Sequence, residues 1–170
     1  MEEKMSKIKN EPKITDDVLV NEVRAAIEHR ATWMSLILDE ADKKGVDFEA
    51  IGRAAIDKTG CFHGRNIKAR LADDSMQEFQ KTFLHDLGQR LFEMEIMACD
   101  DEKLEVEFHY CALVSAWKKQ GFSDERIELL CDMAMDGDRG IAETNGLDFV
   151  LGKTIAKGDD VCEVNFYKKK

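Results

Sequence analysis

The stretch FEMEIMACDDEKLEVEFHYC, Phe92 to Cys111, decides the kind of fold this chain makes. In it Met94, Ile96 and Ala98 alternate with Glu93, Glu95 and Met97. Leu104, Val106, Phe108 and Tyr110 alternate with Glu105, Glu107, His109 and Cys111. Successive side chains of a strand point to opposite faces, so a two-residue repeat with acids on one side predicts two half-solvated strands. The segment between them, Asp100 to Lys103, is a short turn, and the pair is expected as an antiparallel hairpin.

Upstream the period is helical. Val20, Val23, Ile27, Ala31, Met34, Leu38 and Ala41 recur at three- and four-residue steps, started by Thr15-Asp16-Asp17 and stopped by Gly45. A second helix opens at Asp47, where Val46 and Ile51 are spaced as a hydrophobic staple, and it is expected to end at Thr59-Gly60. Cys61 to Asp74 reads as a bent continuation or a short separate helix. From Ser75 one stripe carries Met76, Phe79, Phe83 and Leu87 to Gly88.

Downstream, Cys111 to Gly121 is helical, and Phe122-Ser123-Asp124 caps a further helix with Ile127, Leu130, Cys131 and Ala134 on one stripe. Asp148 to Ala156 and Asp160 to Tyr167 read as a second hairpin. The order is helices, hairpin, helices, hairpin. It predicts an α+β fold in which N-terminal helices and two central helices pack on one antiparallel sheet built from two hairpins. Residues 1–13, which hold the only proline, are expected as a flexible arm, residues 14–167 as a single α+β domain, and residues 168–170 as a disordered tail.

LLCDMAMDGDRG, Leu129 to Gly140, has acids and a glycine at calcium-loop spacing from Asp132 to Glu143. Ala134 offers no oxygen at the third position, and Asn145-Gly146 is a turn signal where an exit helix should run. The stretch is read instead as a helix end that delivers Cys131 and Asp132, with Asp136-Gly137-Asp138 as the turn out of it.

The chain has 170 residues and a net charge of -10, which disfavours nucleic acid and anionic membranes by repulsion. It shows no membrane span, and its start, MEEKMSKIKNEPK, has no signal-peptide core, so a cytoplasmic protein is expected. Five cysteines without a C-x-x-C pair do not make a disulfide scaffold. Cys111, Cys131 and Cys162 fall at element junctions and converge if both hairpins join one sheet. Cys111, at a helix start, would meet the positive end of the dipole, which favours thiolate and makes it the candidate nucleophile. Plain core packing of all three, or a zinc site completed by His109 or Asp132, are the other readings.

The portion from Val106 to Tyr167 resembles the L-2-amino-thiazoline-4-carboxylic acid hydrolases, a bacterial family. The resemblance lies in a strand ending in cysteine (EFHYCAL), a helix ending in Cys-Asp (LLCDMA), a strand with a glycine turn (GKTIAKG) and a closing Cys-acid strand (VCEVNFY). The family pattern has arginine where this chain has Tyr110, and Asp-Phe-Arg where it has Glu163-Val164-Asn165. An arginine fork matches a substrate carboxylate, and Arg139 is the candidate to supply it here, unless it pairs with Asp136 or Asp138.

The resemblance implies a hydrolase that attacks the ring carbon between sulfur and nitrogen of a cyclic amidine, expels the sulfur and leaves a carbamoyl amino acid. Cys111 would attack directly, or Asp132 or His109 would activate water. Cys131 and Cys162 would shape the pocket, and Thr154, Lys153 and Arg139 would hold the substrate. No cofactor is expected; the alternative is zinc on Cys111, Cys131, Cys162 and His109. The competing function is a non-catalytic small-ligand-binding or sensor domain with a cysteine-lined pocket. The apolar face from Val18 to Ala41 permits a homodimer through the N-terminal helices.

Overall fold

Alternation in the sequence becomes a four-stranded antiparallel sheet in the computed structural model, which describes residues 6–169. β1 (Met94–Cys99) and β2 (Lys103–Phe108) form the first hairpin, and β3 (Leu147–Leu151) and β4 (Cys162–Lys168) form the second. β4 pairs with β2, so the order is β1-β2-β4-β3 and the expected single sheet is present. Leu104, Val106, Val164 and Phe166 are buried on the inner face, at no more than 1% exposure. The register slips between Ile96 and Ala98, which leaves Met97 exposed and sets Ala98 opposite Glu105. This bulge corrects the simple alternation: it returns Cys99, not Ala98, to the core side, opposite Leu104.

Seven α-helices lie among the described residues. Asp17 caps α1 (Val18–Lys43), Asp47 caps α2 (Phe48–Lys68), Ser75 caps α3 (Met76–Phe83) and Ser123 caps α6 (Asp124–Ala134), each by accepting an amide hydrogen bond in the first turn. The stripe expected as one helix from Ser75 to Gly88 is two. Leu84 leaves helical geometry and buries its side chain, and His85 Nδ1 then accepts the Gly88 amide to cap α4 (Asp86–Phe92). Trp117 of α5 (Ala112–Lys119) is fully buried, and its indole N–H donates to the carbonyl of Ala31, locking α5 to α1.

Two expectations fail for one reason. α2 continues through Gly60 and Gly64 instead of ending at Thr59-Gly60, and Asp136-Gly137-Asp138 opens α7 (Asp136–Thr144) instead of forming a turn, so three central helices stand where two were expected. These glycines serve close helix crossing. A Cβ on Gly60 would run into the backbone of Gly137, one on Gly64 into Thr144, and one on Gly140 would meet the carbonyl of Asp57 at 2.6 Å. Gly140→Ala is therefore expected to destabilise by roughly 1–3 kcal/mol as the helices are forced apart. Urea unfolding checks this, and an unchanged midpoint would contradict the crossing.

The expected flexible arm is in part docked. Ile8 is 3% exposed, Lys118 Nζ donates to its carbonyl, and the Lys7 amide donates to Asp124. Residues 1–5 lie outside the described residues. At the other end Lys168 belongs to β4 and its amide donates to the Glu102 carbonyl at 2.8 Å, which corrects the tail expectation there; Lys170 lies outside the described residues. No described helix is long and apolar enough to cross a membrane.

Candidate active site

The inner face of the sheet and the helices above it enclose a cavity of about 340 Å³. Phe83, Leu91, Phe92, Met94 and Phe108 give it apolar walls. Its polar groups are few and come from separate elements. Cys111 is the N-cap residue of α5, Cys131 lies in the last turn of α6, and Cys162 begins β4. Thr154 precedes a 3-10 turn, and its hydroxyl accepts the Lys157 amide at 3.2 Å. α7 brings in Asp138, and α1 and the start of α4 bring Arg30 and His85 to the rim. The two hairpins do join one sheet, and the three cysteines line one cavity.

Burial sets the charges. It pushes the Cys111 thiol above its ordinary value, against the pull of the Val114 and Leu113 amides and the Arg30 charge. Cys131 is driven well up by burial and by the neighbouring Cys111 and Cys162, and Cys162 is pushed up to about 12. The sequence reading that the helix start favours a resting thiolate is therefore corrected: loss of solvent outweighs the dipole of a short helix. The sulfur makes no capping hydrogen bond to the first turn of α5, but the Val114 and Leu113 amides of that turn favour its charged form once the proton leaves. Asp138 is the unusual acid. Burial raises its carboxyl to about 6, opposed by Arg139 and Arg30.

Asn10 holds the nucleophile candidate from outside. Its side-chain amide donates to the Cys111 carbonyl and accepts the Cys111 N–H, both at 2.9 Å, across more than a hundred residues of sequence. A family model of the L-2-amino-thiazoline-4-carboxylic acid hydrolases matches residues 24–166. The chain belongs to that family. No curated protein and no solved structure matches it. The match extends the resemblance from Val106 back to Arg24, and so takes in Arg30 and His85 as well as the cysteines and Asp138; Asn10 lies outside it.

In this member of the hydrolase family, four residues read from sequence as site residues share the cavity: Cys111, Cys131, Cys162 and Thr154. Four others stand elsewhere. Asp132 is held by Arg53 at 2.7 Å and Arg139 at 2.8 Å, and although burial works against it, these guanidinium groups keep its carboxyl below the ordinary range. Arg139 is spent on Asp132 and Asp136, and Lys153 pairs with Glu163 at 2.9 Å on the outer side of the sheet. His109 follows Phe108, and strand alternation turns it away from the cavity that Phe108 lines. Among the described residues Cys111, Cys131 and Cys162 do not bring their sulfurs within 4.8 Å of one another as a set, and His109 is on the other face of the sheet. The residues present do not fit a tetrahedral zinc ion there.

Asp138, Arg30, His85 and Asn10 escaped the sequence reading. Arg30 had a signal, since it lies three residues beyond Ile27 and four before Met34, on the edge of the buried stripe. Asp138 looked like a turn residue because it follows Asp136-Gly137. Asn10 had no local signal at all.

Proposed function

We propose that the cavity hydrolyses a small cyclic amidine bearing a carboxylate, of the 2-amino-thiazoline-4-carboxylate kind, to a carbamoyl amino acid. One observation carries the reading: a carboxyl raised to about 6, Asp138, lines the same cavity as Cys111, the N-cap residue of a helix whose first amides favour the charged form of its sulfur. An acid with that value is ionised at neutral pH and still basic enough to move a proton. Its negative charge attracts the amidinium, and Arg30 at the rim offers its fork to the substrate carboxylate.

Asp138 takes the thiol proton of Cys111, and the sulfur attacks the ring carbon between sulfur and nitrogen. The bond from that carbon to the ring sulfur breaks, and the departing sulfur takes the proton back from Asp138. Water, giving one proton to the same carboxylate, then attacks the carbon; its second proton passes to the former amidine nitrogen as the bond to Cys111 breaks, and Asp138 returns the first proton to the Cys111 sulfur. One water is consumed and a urea carbonyl is formed.

The raised thiol favours a second reading, in which Asp138 directs water onto the ring carbon and Cys111 only walls the site. The mainly apolar lining favours a third, binding without turnover. Assay of the full-length protein and of Cys111→Ala with 2-amino-thiazoline-4-carboxylate separates them. The thiol route predicts turnover by wild type, background rates in Cys111→Ala, and an adduct on Cys111 after acid quench. Turnover retained by Cys111→Ala moves the chemistry to water. Binding by wild type with no product at any enzyme concentration makes the cavity a ligand-binding site.

A further inference from the structure

We infer a divalent metal site of the zinc class on the outer face of the sheet, built from Glu95, Glu107 and His109, apart from the cavity. Three glutamates stand in one cross-strand row: Glu95 is opposite Glu107, and Glu107 is opposite Glu163. Like charges directly opposite each other destabilise a sheet. Lys153 neutralises Glu163 at 2.9 Å, which leaves Glu95 and Glu107 facing each other. His109 closes this pair. Its Nε2 lies 3.4 Å from an oxygen of Glu95 and 3.9 Å from one of Glu107, and it is buried with no hydrogen-bond partner.

All three ligand atoms fall within 4.8 Å of one another. A tetrahedral ion with bonds of about 2.1 Å sets its ligands about 3.4 Å apart, which matches His109 and Glu95 and asks Glu107 to move in slightly from 3.9 Å. One imidazole nitrogen with two carboxylate oxygens is a donor set that suits zinc, and it leaves a fourth position for water. That position opens to solvent, since the Glu95 side chain is 65% exposed. The ion neutralises the facing carboxylates and ties the edge strand β1 to β2. His109, placed with the cysteines by the sequence reading, thus belongs to a different set.

The test is titration of zinc ion alone into the full-length protein at pH 8, where deprotonated ligands favour uptake. One equivalent is expected, weakened at least about tenfold in His109→Ala and in Glu95→Gln, and unchanged in Cys111→Ser. Glu95 is exposed, so its replacement leaves the fold intact should His109→Ala fail to fold. Zinc should raise the melting temperature of wild type and not of Glu95→Gln. No uptake by wild type, uptake that persists in both ligand variants, or uptake lost in Cys111→Ser overturns the site.

Discussion

Asp138→Asn is expected to lower kcat/KM by about 10²- to 10⁴-fold while raising thermal stability at neutral pH. The first effect follows from removing the only group assigned to move protons in the cavity. The second follows from linkage. The Asp138 carboxyl rises from 3.8 to about 6 on folding because burial penalises its charged form. The folded state then holds the proton more tightly than the unfolded state, so stability is full below about pH 4 and falls as pH rises through about 6.

At pH 7 that loss is on the order of 1–3 kcal/mol, and asparagine does not suffer it. The variant should melt several degrees higher than wild type at pH 7 and at the same temperature as wild type near pH 4. In wild type, kcat/KM should climb with pH across about 6 as Asp138 ionises. Calorimetry at the two pH values and a rate profile check these points. A variant that melts lower at pH 7, or keeps its activity, would remove Asp138 from the mechanism.

Arg24→Ala carries the largest expected loss of stability. Arg24 is 5% exposed, and its guanidinium donates to the carbonyls of Leu91, Ile14 and Arg90 and to Glu93 at 3.0 Å. It also stacks over the Tyr110 ring at 4.3 Å. The same Glu93 oxygen accepts the amides of Lys13 and Ile14, and Glu93 itself adopts a left-handed backbone at φ 50. Alanine would leave the Glu93 carboxylate buried without its cation, a change that costs about 3–5 kcal/mol. Urea unfolding should show this loss, and adding Glu93→Ala should restore part of it. Because Tyr110 adjoins Cys111, the variant should also slow turnover through displacement of the site. A loss well under 1 kcal/mol would mean that the carboxylate does not depend on Arg24.

Much of the fold was legible because its signals are local. Leu104, Val106 and their outward acids state a strand within a few residues, and Asp17, Asp47, Ser75 and Ser123 state helix starts within one turn. The cysteines were legible as a group only through topology, since each sits at an element junction. The glycines were misread because a glycine that ends a helix and a glycine that admits a crossing helix look the same in sequence. Gly60 and Gly140 are recognised as the second kind only by the backbone of the partner helix lying against each. His109 and Asp132 stood beside cysteines in the chain, yet the first faces away across the sheet and the second is held by two arginines.

What the sequence by itself determined is therefore the α+β class, the two hairpins and most helix starts. Periodicity and capping are satisfied between near neighbours, and any fold of this chain must respect them. The tertiary structure alone decided that Asp138 is the acid of the cavity, that Arg30 faces it while Arg139 does not, and that Asn10 clasps Cys111. Desolvation and charge pairing depend on which distant segments come to lie against a side chain, and that information is absent from its own stretch of sequence.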